Sequence, residues 1–164
     1  MTFALAAMLA AQAVTAAPAP APSAWTVTPD QAGGTVEIAA MAKRGAAQFV
    51  GGCSSEAEPG FSGAFSGYGG SGLRTDGQIE KVAFYVRGEE WQDAYAVQLR
   101  YSAAERAWRI AKPIAPVFLS SFSRGATLAV VNSRNEEVFS FDLTGSTAAA
   151  RAMRSVCGIP TVSA

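Results

Sequence analysis

The chain has 164 residues, of which 13 are Lys or Arg, 13 are Asp or Glu and none is His. This balance leaves no basic surface that would attract nucleic acid, so we expect no nucleic acid partner. Without histidine, catalytic pairs of Ser or Cys with His are excluded within the chain. Two cysteines and no histidine cannot build a tetrahedral zinc site unless carboxylates replace the missing ligands. The composition therefore predicts no catalytic residue, no cofactor and no metal site.

The first 24 residues have the pattern of an export signal followed by a linker. The apolar run Phe3 to Ala11 is too short to span a bilayer, which takes about 20 residues, but suits the hydrophobic region of a secretory signal. Val14 and Ala16 provide the small residues of a cleavage site. We therefore interpret residues 1–16 as a signal peptide and residues 17–24 as an Ala/Pro leader. The protein is then periplasmic or secreted, with no membrane insertion after cleavage; the alternative is a disordered tail on a cytosolic protein.

Residues 25–164 are predicted to form a single β-rich domain. Apolar and polar residues alternate in several short runs, at 81–87, 94–101, 137–143, 35–42, 106–111 and 126–132. Alternation of this kind between turn residues is typical of an antiparallel sheet with one solvated face. The pattern predicts a hairpin over residues 79–101, with its turn at 88–92. The expected fold class is mainly β, either an antiparallel β-sandwich or a partly open barrel.

Two segments interrupt the alternation and are predicted to be helices. Pro116 and Gly125 delimit a short internal helix. The second helix is alanine-rich, begins at Ser146 or Thr147, either of which can cap it, and ends at Gly158. Its apolar stripe predicts that this C-terminal helix packs on the sheet.

The stretch GYGGSG at residues 67–72 matches the spacing of a dinucleotide-binding loop. That loop requires a buried strand before it and a helix after it. Here a glycine-rich stretch precedes the motif and a turn sequence, LRTDGQ, follows it. We therefore interpret residues 61–70 as a loose strand followed by a flexible loop, whose glycines admit close approach by a neighbour or a ligand.

The chain has two cysteines, Cys53 and Cys157. In an exported protein an even number of cysteines favours a disulfide. Such a bond would pin the last helix to an early strand, and closing a loop of about 100 residues stabilises by about 4–5 kcal/mol in the chain-entropy model. In a cytosolic protein the same residues would be two buried free thiols.

Three residues are candidates for contact with a partner. Trp91, at the end of the predicted hairpin, either folds over the sheet edge or serves as an exposed anchor, because tryptophan is enriched in interface hot spots. Tyr68, in the glycine-rich stretch, has the same two interpretations. Arg124 is expected to bind carbonyl groups at the end of the short helix and is a weaker candidate for ligand contact.

Acidic residues are predicted to have structural roles. The pairs Glu56/Glu58, Glu89/Glu90 and Glu136/Glu137 are interpreted as solvated surface charge. Asp142, between two hydrophobic neighbours, is expected to bond backbone groups at the entry to the C-terminal helix. A hydrolase that uses carboxylates would need two of these groups to converge.

Residues 119–158 contain a short helix, a strand of the form G..L.V, a strand ending F.L.GS, and an alanine-rich helix ending in cysteine. This tail resembles that of small bacterial periplasmic proteins, in the invasion-associated locus B family and in a periplasmic accessory family of type VI secretion. Trp25 and Cys53 fit the same outline. The resemblance implies an envelope module that is β-sandwich-like, without enzymatic activity.

These observations lead to two functional hypotheses. The first is an exported, non-catalytic interaction module of the envelope or of a secretion system, with a protein partner. The alternative is an inhibitor or immunity-type protein that blocks a periplasmic enzyme through an exposed loop, such as the glycine loop or GEEWQD at residues 88–93. An unrecognised hydrolase that uses carboxylates is the third possibility.

Overall fold

A computed structural model describes residues 24–29, 35–54, 60–70 and 74–161. The predicted signal peptide and leader lie outside these ranges, apart from Ala24. Within them the strands are β1 (Thr26–Pro29), β2 (Thr35–Met41), β3 (Gln48–Ser54), β4 (Ser62–Ser66), β5 (Ile79–Arg87), β6 (Gln92–Ser102), β7 (Ala107–Ile110), β8 (Thr127–Asn132) and β9 (Glu137–Asp142). The helices are α1 (Val117–Arg124) and α2 (Ser146–Cys157).

The described strands form one antiparallel sheet in the order β1-β2-β3-β4-β7-β6-β5-β8-β9. Strands β5 and β6 form the hairpin that the sequence predicts at residues 79–101. The sheet curls into a half-barrel, with α1 and α2 as the short internal helix and the C-terminal helix. The mainly β fold is thus confirmed, and because the strands belong to one curled sheet the architecture is a partly open barrel.

Backbone hydrogen bonds join the two ends of the curled sheet. The Trp25 N–H, just before β1, donates to the Thr144 carbonyl beyond β9 over 2.8 Å. The Lys43 N–H, in the turn after β2, donates to the Ser140 carbonyl of β9 over 2.7 Å. These bonds satisfy backbone groups at both ends of the sheet and hold its curl.

Aromatic side chains fill the concave side of the sheet. The Phe61 and Phe118 ring centroids lie 4.7 Å apart, and those of Trp25 and Phe122 also lie 4.7 Å apart. Phe118 and Phe122 are four residues apart on α1, so one face of this helix enters the core. Trp25 and Trp108 are both buried in this core.

The start of α2 differs from the prediction. Neither Ser146 nor Thr147 caps the helix; the N-cap position is Gly145, with φ of 86° and no side-chain cap bond. A methyl group at Gly145 would lie 2.7 Å from the Trp25 carbonyl oxygen, so this tight crossing requires glycine. The Thr147 hydroxyl instead donates to the Ser123 carbonyl of α1, which ties the two helices together. The predicted helix end at Gly158 is confirmed, with φ of 62°.

A disulfide joins Cys53 of β3 to Cys157 at the end of α2, with Cα atoms 6.0 Å apart. The predicted bond is therefore confirmed. It closes a loop with a sequence separation of 104 residues. Helix α2 contacts β1, β2 and β3, so the bond fixes the C-terminal helix on the first strands of the sheet.

The glycine-rich stretch forms a strand whose glycines allow close packing. Gly63 of β4 pairs with Gly51 of β3. A methyl group added at Gly51 would lie 2.2 Å from the Ser62 carbonyl oxygen, so the neighbour that approaches closely is the adjacent strand. The next described element after the motif is β5, a strand, whereas a dinucleotide-binding loop opens a helix. The structural interpretation of these glycines agrees with the fold, although residues 71–73 lie outside the described ranges.

Candidate functional site

Helix α1 runs alongside the first half of β6, and most of the candidate contact residues meet there. From the C-terminal end of the helix toward its start, the contacts are Arg124 over Trp91, Ser121 bonded to Asp93, and Phe118 packed on Tyr95. We call the combination of residues 91–98, the segment 112–115 and helix α1 the β6–α1 surface.

Trp91 and Arg124 form one corner of this surface. The Arg124 guanidinium carbon lies 5.2 Å from the centroid of the Trp91 ring, within reach of a cation–π interaction. A methyl group at Gly88 would lie 2.1 Å from Trp91 Nε1, so the half-buried indole folds back onto the hairpin turn. Arg124 Nε also donates to the Ser120 carbonyl, as the sequence predicts for this helix end. The exposed guanidinium thus covers an aromatic ring that is itself fixed in place.

A hydrogen-bonded group of three side chains fixes α1 on β6. The Ser121 hydroxyl, 1% exposed, donates to Asp93 Oδ2 over 2.5 Å. Because that proton is used, the Tyr95 hydroxyl donates to Ser121 Oγ over 2.7 Å. Both bonds of this buried hydroxyl go to side chains of β6, so Ser121 holds α1 against that strand. In the sequence, the only sign of this role is that Ser120 and Ser121 lie between two phenylalanines of the core.

A groove opens where β7 separates from β6. The last bond between the two is from the Ala111 N–H to the Gln98 carbonyl, over 2.8 Å. Beyond this point the chain continues on its β4 side, where Ile114 exchanges backbone bonds with Phe61, the residue before β4. The resulting groove has a volume of about 480 Å³ and is lined by residues 94–98 and 112–115.

The groove exposes an unpaired strand edge. The Gly88 N–H donates to the Trp91 carbonyl, and the Tyr101 N–H donates to the Gln78 carbonyl. Within β6, the odd-numbered residues therefore direct their backbone groups toward β5. The register with β5 is continuous, and the even-numbered residues therefore point their backbone groups the other way. In the described part of the chain, β7 pairs with β6 only over Leu99–Ser102. The N–H and C=O groups of Ala94 and Ala96 thus face the groove.

The two helices present cations without carboxylates. Neither α1 nor α2 contains Asp or Glu, whereas Arg124, Arg151 and Arg154 lie on them. Arg154 Nη2 donates to Ser120 Oγ over 3.2 Å, and within the described ranges none of the three arginines has an ion-pair partner. The charged side chains of the two helices are therefore all positive, although the whole chain has no net charge.

Tyr68 lies inside the protein, so it is not the exposed contact that one interpretation of the sequence predicts. Its side chain is 7% exposed and packs near Trp108 and Phe139. The hydroxyl donates to Oε1 of the buried Glu80 over 2.5 Å. Burial, and then the bond to Glu80, raises the pKa of Tyr68 well above its usual range. Sequence reasoning missed Glu80, although its position two residues before Val82 places it on the inward face of β5.

Asp142 has the role that the sequence predicts. Its Oδ1 accepts bonds from the Thr144 N–H over 2.8 Å and from the Thr144 hydroxyl over 2.5 Å. These bonds lower the pKa of Asp142, the bond from the Thr144 hydroxyl having the largest effect. The carboxylate thus orders the turn between β9 and α2.

Two further features are absent from the described ranges: a cluster of metal ligands and a membrane-spanning helix. No three Cys, Asp or Glu side chains there come close enough together to hold a metal ion. None of the helices in those ranges has the length and apolar character needed to cross a bilayer.

Comparisons with protein-family models, with curated proteins and with solved structures find no significant match to this chain. The resemblance of residues 119–158 to the locus B family or to the type VI accessory family therefore stays a prediction.

Proposed function

We propose that this protein is an exported, non-catalytic interaction module of the cell envelope or of a secretion system, and that the β6–α1 surface binds its protein partner. The observation that carries the proposal is the corner formed by Trp91 and Arg124, beside an unpaired strand edge. Tryptophan and arginine are the residues most enriched in interface hot spots, particularly where a rigid neighbour holds them in place. Here the hairpin turn and the end of α1 provide that support.

Export is supported by the disulfide and by the signal-like N-terminus. Disulfides persist in oxidising compartments and are rare in the cytosol. The bond between Cys53 and Cys157 therefore supports a periplasmic or secreted location.

The absence of catalysis is supported by how the polar side chains are used. Ser121 and Asp93 satisfy each other, Tyr68 bonds Glu80, and Asp142 orders a turn. Each of these groups is bonded to another group of the protein, whereas a catalytic group must reach a substrate.

The charge of the helices indicates an acidic partner surface. Arg124, Arg151 and Arg154 lack carboxylate partners in the described part of the chain. Complementary charges mainly accelerate encounter and suppress wrong partners, while the aromatic contact supplies affinity.

The test is affinity capture from envelope extracts of the cells of origin, comparing four baits: the wild type, Trp91→Ala, Arg124→Ala and Arg100→Ala. Arg100 is exposed on β6 away from the surface and is the matched control. We expect one protein whose binding weakens about tenfold or more with either of the first two variants, since truncating a hot spot costs more than about 1 kcal/mol, and is unchanged with the control. Equal capture by all four baits would exclude this surface.

The inhibitor hypothesis has one specific observation in its favour. Glu89 and Glu90 are exposed at the tip of the β5–β6 hairpin, directly before Trp91. If the captured partner is a hydrolase, stoichiometric addition of the protein should abolish its activity. Unchanged hydrolase activity would leave the interaction module as the function.

A further inference from the structure

We propose that the partner contributes an extended segment, which adds as a new strand to the open edge of β6 between residues 94–98 and the segment 112–115. This proposal rests on the proposed function and names the form in which the partner binds. Peptides recognised in this way gain affinity from main-chain hydrogen bonds and specificity from alternate side chains.

The backbone of β6 provides the required donors and acceptors. The N–H and C=O groups of Ala94 and Ala96 point away from β5, and no described strand pairs with them. These residues are two apart, so their bonding groups repeat about every 6.6 Å, the repeat of an extended partner strand. Both side chains are small and exposed, and neither obstructs a chain laid alongside.

The groove has the shape left by a missing strand. A peptide would continue the ladder that ends at the bond between Ala111 and Gln98. The opposite wall cannot close the gap itself, because Pro113 has no N–H and the backbone of Ile114 is bonded to Phe61. The volume of about 480 Å³ lies within the usual range of binding clefts. Residues 94–98 span about 13 Å, the length of four extended residues.

The walls of the groove define the chemistry of the segment. Side chains that point inward would meet the half-buried Tyr95 and the apolar Val97, so those positions favour apolar residues. Lys112 is exposed at the closed end and has no ion-pair partner in the described ranges, which favours an acidic residue there. The occupant is thus an extended segment of alternating apolar and polar residues, with a carboxylate near Lys112.

A second copy of this chain fits the groove less well than a single peptide strand. Pairing β6 with β6 of another molecule about a two-fold axis would bring both 112–115 segments and both α1 helices to the same edge. The groove between β6 and the segment 112–115 is bounded on both sides, so it favours one strand that enters alone.

The first experiment measures amide hydrogen exchange of the full-length protein by NMR, with and without a decapeptide selected against it from a displayed random library. Without peptide, the Ala94 and Ala96 amides should exchange much faster than those of Tyr95 and Val97, which bond on the β5 side. With saturating peptide, the Ala94 and Ala96 amides should slow by at least tenfold.

Two changes then test whether main-chain bonds cause the protection. Ala96→Pro removes the N–H that faces the groove and should weaken peptide binding about tenfold, the cost of one hydrogen bond, whereas the control Ala96→Thr keeps the N–H and should bind. Peptides that are N-methylated at alternate residues test the same bonds without changing the protein. Of the two alternating sets of methylated residues, only the set whose N–H groups face β6 should lower the affinity.

Three other outcomes would each overturn the proposal that the partner adds a strand to β6. If peptides bind in a way that depends on Trp91 and Arg124 but leave the Ala94 and Ala96 amides in fast exchange, the interaction surface stands and the strand does not. If no selected peptide binds, strand addition fails, while capture of a folded partner still tests the proposed function separately. Protection that rises with protein concentration alone would identify the occupant as a second copy.

Discussion

At the scale of single residues, the most consequential contact is between Tyr68 and the buried Glu80. A carboxyl group in the core is costly unless it is hydrogen-bonded, and the Tyr68 hydroxyl provides that bond over 2.5 Å. Local sequence could not reveal this pair. Tyr68 stands among glycines, and its burial depends on Trp108 and Phe139, which are distant in the chain. By contrast, Arg124 and Asp142 act on backbone groups a few residues away, and their roles were predicted.

Tyr68→Phe should lower the free energy of unfolding by about 1–3 kcal/mol at pH 8, because it removes one partner of a buried hydrogen bond. The difference should shrink above about pH 10. In that range the unfolded wild type loses the phenolic proton while the folded protein keeps it, because the folded pKa is raised, so wild-type stability falls as pH rises. Urea unfolding of both proteins at pH 8 and pH 11 measures this. A gap that does not change with pH would contradict the assignment.

At the scale of secondary-structure elements, the sequence predicts what depends on local pattern and misses what depends on neighbours. Alternation locates the β5–β6 hairpin, and Pro116 and Gly125 delimit α1. The predicted N-cap of α2 was wrong because the packing of Trp25 against Gly145 decides it. The open edge of β6 was not foreseen either. It exists because the chain no longer bonds to β6 after Ala111 and continues on its β4 side, where Ile114 bonds to Phe61, and this depends on long-range strand pairing.

The disulfide is the contact that holds α2 on the early strands, and its removal has a defined cost. Replacing Cys53 and Cys157 by Ser should lower the free energy of unfolding by about 2–5 kcal/mol, because the unfolded chain regains the freedom of a closed loop with a sequence separation of 104 residues. Denaturant unfolding of the double variant measures the loss, and wild type reduced with dithiothreitol should match it. Equal midpoints for oxidised and reduced protein would show that the bond does not constrain the chain.

At the scale of the whole molecule, the curled sheet separates a closed side from an open one. A bond from Trp25, just before β1, to Thr144, beyond β9, ties the two end strands, and the Cys53–Cys157 bond fixes α2 on β3, so that side is closed. The gap between β6 and the segment 112–115 leaves the opposite part of the sheet unpaired, next to Trp91 and Arg124. Composition and alternation predicted the class of this fold, but the position of the gap follows from strand order, which no local pattern specifies. We therefore expect the proposed partner to bind at the gap.

The most direct test of that claim is site-specific photocrosslinking in the cells of origin. A benzoylphenylalanine in place of exposed Ala94 would report contacts at the β6–α1 surface, and one in place of Met41, 51% exposed on β2, would report a distant site. We predict that irradiation produces one discrete crosslinked protein from position 94 in the envelope fraction and none from position 41. No adduct from position 94, or the same adducts from both positions, would contradict the account.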